Sequence, residues 1–164
     1  MNAKAIVYTS NTGYTAAYAR LLAESSGLPA YSLTEASSSL SAGTPIIYMG
    51  WLMAGSVKDY RKAAKRYAIC ALCGVGLGDT GAQDAAVRKA HALPQDLPVF
   101  TLQGGMDLQK LKGPYRFAIR MLTRGLAASK KRTPAEDRML QLLRQGGDYV
   151  SMDNLSAVLA WMNS

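Results

Sequence analysis

With 164 residues, 49% apolar and 18% charged, the chain suits a single globular domain, residues 1–164, that closes its own core without disulfide or metal staples. Its apolar runs stop far short of the roughly 18 residues of a membrane-spanning helix, and Met1-Asn2-Ala3-Lys4 leads into the first of them without a signal-peptide pattern, which predicts a cytoplasmic protein. The formal net charge of +8 argues for acidic protein partners, acidic ligands or an anionic membrane surface; nucleic acid is not expected, because the basic residues lack an interleaved aromatic platform.

Five apolar runs of β type follow in order: Ala5–Tyr8, Ala30–Leu33, Pro45–Met49, Tyr67–Leu72 and Pro98–Leu102. Helices are predicted between them at Ala16–Ser26, Ser56–Arg66 and Ala82–Ala92, and after the last at Tyr115–Ser129, near Pro134–Arg144 and near Asn154–Asn163. The serine-rich stretch Ser37–Ser41 reads as a linker, too short for a long helix. Strands alternating with helices predict an α/β fold, a parallel sheet covered on both faces with right-handed crossovers. Ligands of such sheets bind beyond the carboxyl ends of the strands, where the strand order reverses. Thr9–Thr15, Gly50–Gly55 and Cys73–Gly81 leave the carboxyl ends of adjacent strands and are expected to meet there.

The first of these segments carries the most chemistry. Four of the seven residues Thr9 to Thr15 bear aliphatic hydroxyls, and Gly13 allows close backbone access. The hydroxyls of Ser10, Thr12 and Thr15 and the free N–H groups of the helix start would point at one place, which the helix dipole makes attractive to an anion such as a phosphate. Ordinary helix capping is the competing reading, and it needs only one such hydroxyl.

Two other motifs compete for attention. Cys70 and Cys73 have C-x-x-C spacing, but with no second Cys pair and a single His, His91, they read as buried thiols rather than half a metal site. In a regular strand the two side chains would point to opposite faces. Gly76-Leu77-Gly78-Asp79-Thr80-Gly81 fits a dinucleotide fingerprint, yet Gln103 stands where the next strand would need an acidic residue for a ribose. The glycines read instead as a flexible ligand loop.

The chain resembles the flavodoxin family. Ile6-Val7-Tyr8, Ser10, Gly13, Thr15, Ala19 and Leu22 fill every fixed position of that family's FMN-phosphate signature. The resemblance implies a flavodoxin-like three-layer sandwich with a five-stranded parallel sheet of order 2-1-3-4-5. More narrowly, Gly50–Gly55, the block Gly104–Leu108 and Tyr115-Arg116-Phe117 are similar to the compact flavodoxin-domain proteins that include menaquinone-dependent protoporphyrinogen dehydrogenases. By resemblance, Ser10, Asn11, Thr12, Gly13, Tyr14 and Thr15 hold the phosphate of FMN. Trp51, Leu52, Met53, Ala54 and Gly55 flank the isoalloxazine, with either Trp51 or Met53 against the ring. Cys73, Gly74, Val75 and Gly76 approach its pyrimidine edge. Cys73–Gly78 lacks the aromatic that many flavodoxins carry there, which leaves room for a second molecule or weakens FMN binding.

No Ser/His/Asp grouping suggests a protein nucleophile, so no catalytic side chain is assigned and the flavin would carry the redox chemistry. The expected function is that of an FMN-binding oxidoreductase on a small electron donor or acceptor of porphyrinogen or quinone type. The alternative is a carrier passing electrons between proteins. Arg116, Arg120 and Arg124 share one face of the basic helix 115–129. That helix either packs on the sheet with its Arg edge in water or makes peripheral membrane contact.

Overall fold

The computed structural model describes residues 2–164. The chain runs β1 (Ala5–Thr9), α1 (Tyr14–Ser26), β2 (Ala30–Ser32), α2 (Leu33–Ser39), β3 (Pro45–Met53), β4 (Ser56–Val57), α3 (Tyr60–Arg66), β5 (Ala68–Gly76), α4 (Asp84–His91), β6 (Val99–Gln103), β7 (Gly105–Met106), α5 (Gly113–Ala128), α6 (Pro134–Gln145), β8 (Gly147–Asp148), a 3-10 turn (Asp153–Leu155) and α7 (Ser156–Met162). The main sheet has the order β2-β1-β3-β5-β6, with all four pairings parallel. It is an α/β fold, and its order reverses between β1 and β3. The sheet holds six strands rather than the five expected, because β4 folds back antiparallel onto the end of β3. A separate antiparallel pair, β7 with β8, was not foreseen.

Both faces of the sheet are covered, as parallel strands require. On one face Ile6, Ile47, Met49, Ala71 and Val75 pack with Tyr18 and Leu22 of α1 and Val158 of α7. On the other, Val7, Ile46, Tyr48 and Leu72 pack with Ala36 of α2, Ala63 of α3 and Val87 of α4. A third, smaller cluster of Met106, Leu111, Leu142 and Leu143 joins α6 to the loop after β7.

Other elements also depart from the sequence reading. The serine-rich stretch contributes to a short helix, α2, because Ser32 accepts from the Glu35 N–H while the Glu35 carboxylate accepts from the Ser32 N–H, a reciprocal capping box. Strand β5 runs on to Gly76 instead of ending at Leu72. Its register against β3 shifts between Ile46 and Ile47, a bulge that inserts Cys70 as the extra residue. That inserted residue changes the parity, so Cys70 and Cys73 both pack toward the α1 face rather than to opposite faces. Helix α5 does not lie on the sheet at all. It has no buried residue and pairs with α6 above the carboxyl ends of the strands.

Candidate functional site

A cavity of about 480 Å³ opens at the carboxyl ends of β1, β3 and β5, where the order reverses. Ser10, Asn11, Thr12, Tyr14 and Thr15 form its first wall. Gly13 is the N-cap of α1, with φ 103°, and no side chain caps that helix. The hydroxyls of the loop are therefore not consumed as caps, and the competing reading of this segment loses its basis. Ser10 Oγ is buried without a hydrogen-bond partner among the described residues. A polar atom in that state is destabilising unless a ligand or water satisfies it. An unpartnered hydroxyl beside uncapped N–H groups at the positive end of a 13-residue helix could hold an anion.

The second wall is the β3–β4 hairpin, which contributes Trp51, Leu52, Met53, Ala54 and Gly55. Ala54 and Gly55 form a two-residue loop with φ 49° and 76°, the pattern of a type I′ turn. Tyr48, whose phenol burial pushes well above its ordinary range, donates to the Lys58 carbonyl at 2.8 Å and lies 2.9 Å from Thr9 Oγ1. It thereby ties the base of the hairpin to the end of β1. From outside the sheet, His91 Nε2 accepts the Val57 N–H at 2.8 Å. Trp51 meets Tyr115 of α5 edge to face, with centroids 5.2 Å apart, and Lys58 Nζ lies 5.9 Å from its ring centre. Met53 is 42% exposed at the rim.

The third wall is the end of β5, where Val75, Gly76 and then Leu77 line the cavity. The expectation that Cys73 and Gly74 reach a ligand is not met. Both lie inside the strand, Cys73 fully buried in the α1-side core, where desolvation pushes its thiol up to about 12. At Gly74 the space a Cβ would need is taken by Leu52, 2.9 Å away. The glycine-rich segment after β5 does not present a free helix start either. Asp84 opens α4 and accepts from the Thr101 N–H and hydroxyl, both at 2.7 Å, which sets a carboxylate in the first turn of that helix. The Gly81 N–H is bound to the Thr101 carbonyl at 2.8 Å.

Sequence reasoning missed the roof. Leu111, Tyr115, Ala118, Ile119 and Leu122, with Met106 and Met139, close the cavity from above. Their spacing is that of any amphipathic helix, so nothing local marked them as lining a site. Arg132 locks the α5–α6 turn by donating to the Ser129 carbonyl at 2.8 Å and to Asp137 at 2.7 Å. Arg138 of α6 pairs with Asp79 at 2.6 Å.

Behind the first wall, Asn154 holds three segments together. Its Nδ2 donates to Tyr18 Oη at 2.7 Å and to the Tyr149 carbonyl at 2.9 Å, its Oδ1 accepts from Thr80 at 2.8 Å, and Tyr18 in turn donates to the Gln103 carbonyl at 2.5 Å. Burial, then Asp148 and Asp107, raise the Tyr14 phenol above its ordinary range.

Among the described residues, no three His, Cys, Asp or Glu side chains converge as metal ligands, and no helix is long and apolar enough to cross a membrane. No protein-family model, curated protein or solved structure matches the chain.

Proposed function

We propose that this cavity binds FMN and that the protein is a flavodoxin-like oxidoreductase acting on a small electron donor or acceptor. The observation that carries this reading is the buried, unpartnered Ser10 hydroxyl at the uncapped start of α1. It follows β1, the first of two strands flanking the reversal of a β2-β1-β3-β5-β6 sheet, an order consistent with a flavodoxin-like fold. Ser10, Thr12, Thr15 and the first N–H groups of α1 would bind the phosphate. The residues from Trp51 to Gly55 on one side, and Val75 and Gly76 on the other, would orient the ring system. Trp51 is already engaged by Tyr115 and Lys58, which leaves Met53 as the freer side chain toward a ligand. When bound, the flavin supplies the electron chemistry, and the chain supplies binding, orientation and exclusion of water. The roof of Leu111, Ile119, Leu122 and Met139 makes the far end of the cavity apolar, which supports a small apolar substrate of quinone or porphyrinogen type.

Titration of the purified protein with FMN, followed by quenching of flavin fluorescence, tests the reading. Saturable binding, weakened by Thr12→Ala with Thr15→Ala, is the expected result; no binding, or binding indifferent to those changes, overturns it. A carrier between proteins is the second reading, favoured by the open rim at Met53. Reduction of quinones by the reduced holoprotein without any protein partner would decide for the enzyme.

A further inference from the structure

Beside the cavity, on the other flank of α5, lies a groove of about 380 Å³. Leu108, Leu111, Ile119 and Leu143 give it an apolar floor, and Arg116, Arg120 and Arg124 line it from successive turns of the helix. Among the described residues none of these three guanidinium groups has a carboxylate within ion-pair distance, whereas Lys62, Lys110, Arg132 and Arg138 each have one. The same helix leaves Phe117 67% and Met121 50% exposed, and Leu108 at the groove is 37% exposed.

Each of these facts alone is ordinary; together they specify an environment. Large apolar side chains in water are unfavourable, and several of them exposed close to one groove mark an interaction surface. Guanidinium groups that no carboxylate occupies are free to take an anion, and their fork geometry suits phosphate. A folded protein partner would have to supply both an acidic patch and an apolar pocket at matching spacing. A phospholipid layer supplies both by its construction, anionic phosphate outside and acyl chain beneath.

We propose that the outer face of α5 binds an anionic phospholipid bilayer, with a headgroup phosphate held among Arg116, Arg120 and Arg124. Phe117 and Met121, one turn apart, enter the acyl boundary, while the long arginine side chains reach back to the headgroups. Leu111 and Ile119 belong to both the groove and the cavity, so the roof of the cavity is the element that meets the lipid. This binding does not depend on a flavin.

Sedimentation of the full chain with vesicles of phosphatidylcholine, with and without phosphatidylglycerol, tests the proposal. Binding is expected only with phosphatidylglycerol present and should fall as salt is raised. Arg120→Glu with Arg124→Glu should weaken it by roughly tenfold or more. Phe117→Ser with Met121→Ser should also weaken it. All four positions are exposed, so the circular dichroism spectrum should be unaltered; should the charge reversals disturb it, Arg120→Gln with Arg124→Gln replaces them. Equal binding to both vesicle types, no binding to either, or indifference to the arginine changes overturns the proposal. Saturable binding of decyl phosphate in solution without sedimentation on vesicles also overturns it, and would assign the groove to a soluble amphipathic anion.

Discussion

The Val57 N–H donates to Nε2 of His91 at 2.8 Å, so the hairpin that walls the cavity is pinned from α4 by an imidazole acting as an acceptor. Only the neutral ring can accept there. His91 also stacks edge-on with Tyr60, with centroids 4.8 Å apart. Burial, and then the neighbouring charge of Arg61, lower its pKa from the ordinary 6.5.

The sign of the pH dependence follows. A group whose folded pKa is depressed binds fewer protons in the folded state, so its stabilisation is complete above about 6.5 and is lost as the pH falls through that value toward the folded pKa. Denaturant melts between pH 7.5 and 5, roughly the range of His titration, should show stability falling with acid. His91→Gln retains an acceptor without titrating and should flatten this slope. His91→Ala orphans the buried Val57 N–H and should cost about 1–3 kcal/mol at neutral pH.

Ser10→Ala should act in opposite directions on the apo and the liganded protein. Removing a buried, unpartnered hydroxyl should stabilise the flavin-free chain by up to about 1 kcal/mol, while weakening FMN binding by a similar or larger amount. Thr12→Ala with Thr15→Ala should weaken FMN binding by roughly 2–4 kcal/mol, from two lost hydrogen bonds to a charged acceptor. Thermal melts of the apo protein and flavin titrations of each variant give both quantities.

Asn154→Ala should be among the more damaging single changes. It leaves the Tyr149 carbonyl and the Thr80 hydroxyl short of a partner and frees Tyr18 from one of its two short hydrogen bonds. A loss of about 2–4 kcal/mol in chemical denaturation is expected for a broken, partly buried network. Tyr18→Phe, which keeps the ring in the core, should cost less.

Ala54→Asn should stabilise the apo protein. Ala54 holds φ 49°, a left-handed conformation in which asparagine is better tolerated than alanine, and Asn-Gly is the favoured pair for such a turn. A gain of about 0.5–1 kcal/mol is expected, seen as a thermal midpoint raised by roughly 1–4 °C. Gly55→Ala at φ 76° should move it the other way.

The elements most legible in the sequence are those whose causes are local. Thr9–Thr15 could be read as strand end, loop and helix start because its hydroxyls and glycine sit within one turn of each other. The five main strands followed from their apolar runs. What stayed hidden depends on distant residues. Gly74 and Gly76 look like loop glycines, but they are strand residues whose missing Cβ atoms make room for Leu52 of the next strand. The two-residue strand Ser56–Val57 is too short to carry a period, and it continued smoothly into a helical pattern that in fact starts at Tyr60. The bulge at Cys70 is set by pairing with β3 and leaves no trace in composition. Leu111, Ile119 and Met139 are indistinguishable by spacing from core residues, and only the tertiary arrangement turns them into a ceiling.

The third apolar cluster has only four buried members, and the surface pair Arg138–Asp79, more than two-fifths exposed on each side, adds at most about 1 kcal/mol to it. The two halves of the molecule therefore have unequal thermal histories. On warming, amide protons of residues 113–145 should exchange with solvent well before those of β1, β3 and β5. Entry of a bulky guest then becomes a question of how often the helical pair comes loose, so a change at Asp79, outside the cavity lining, would set an exchange rate inside it.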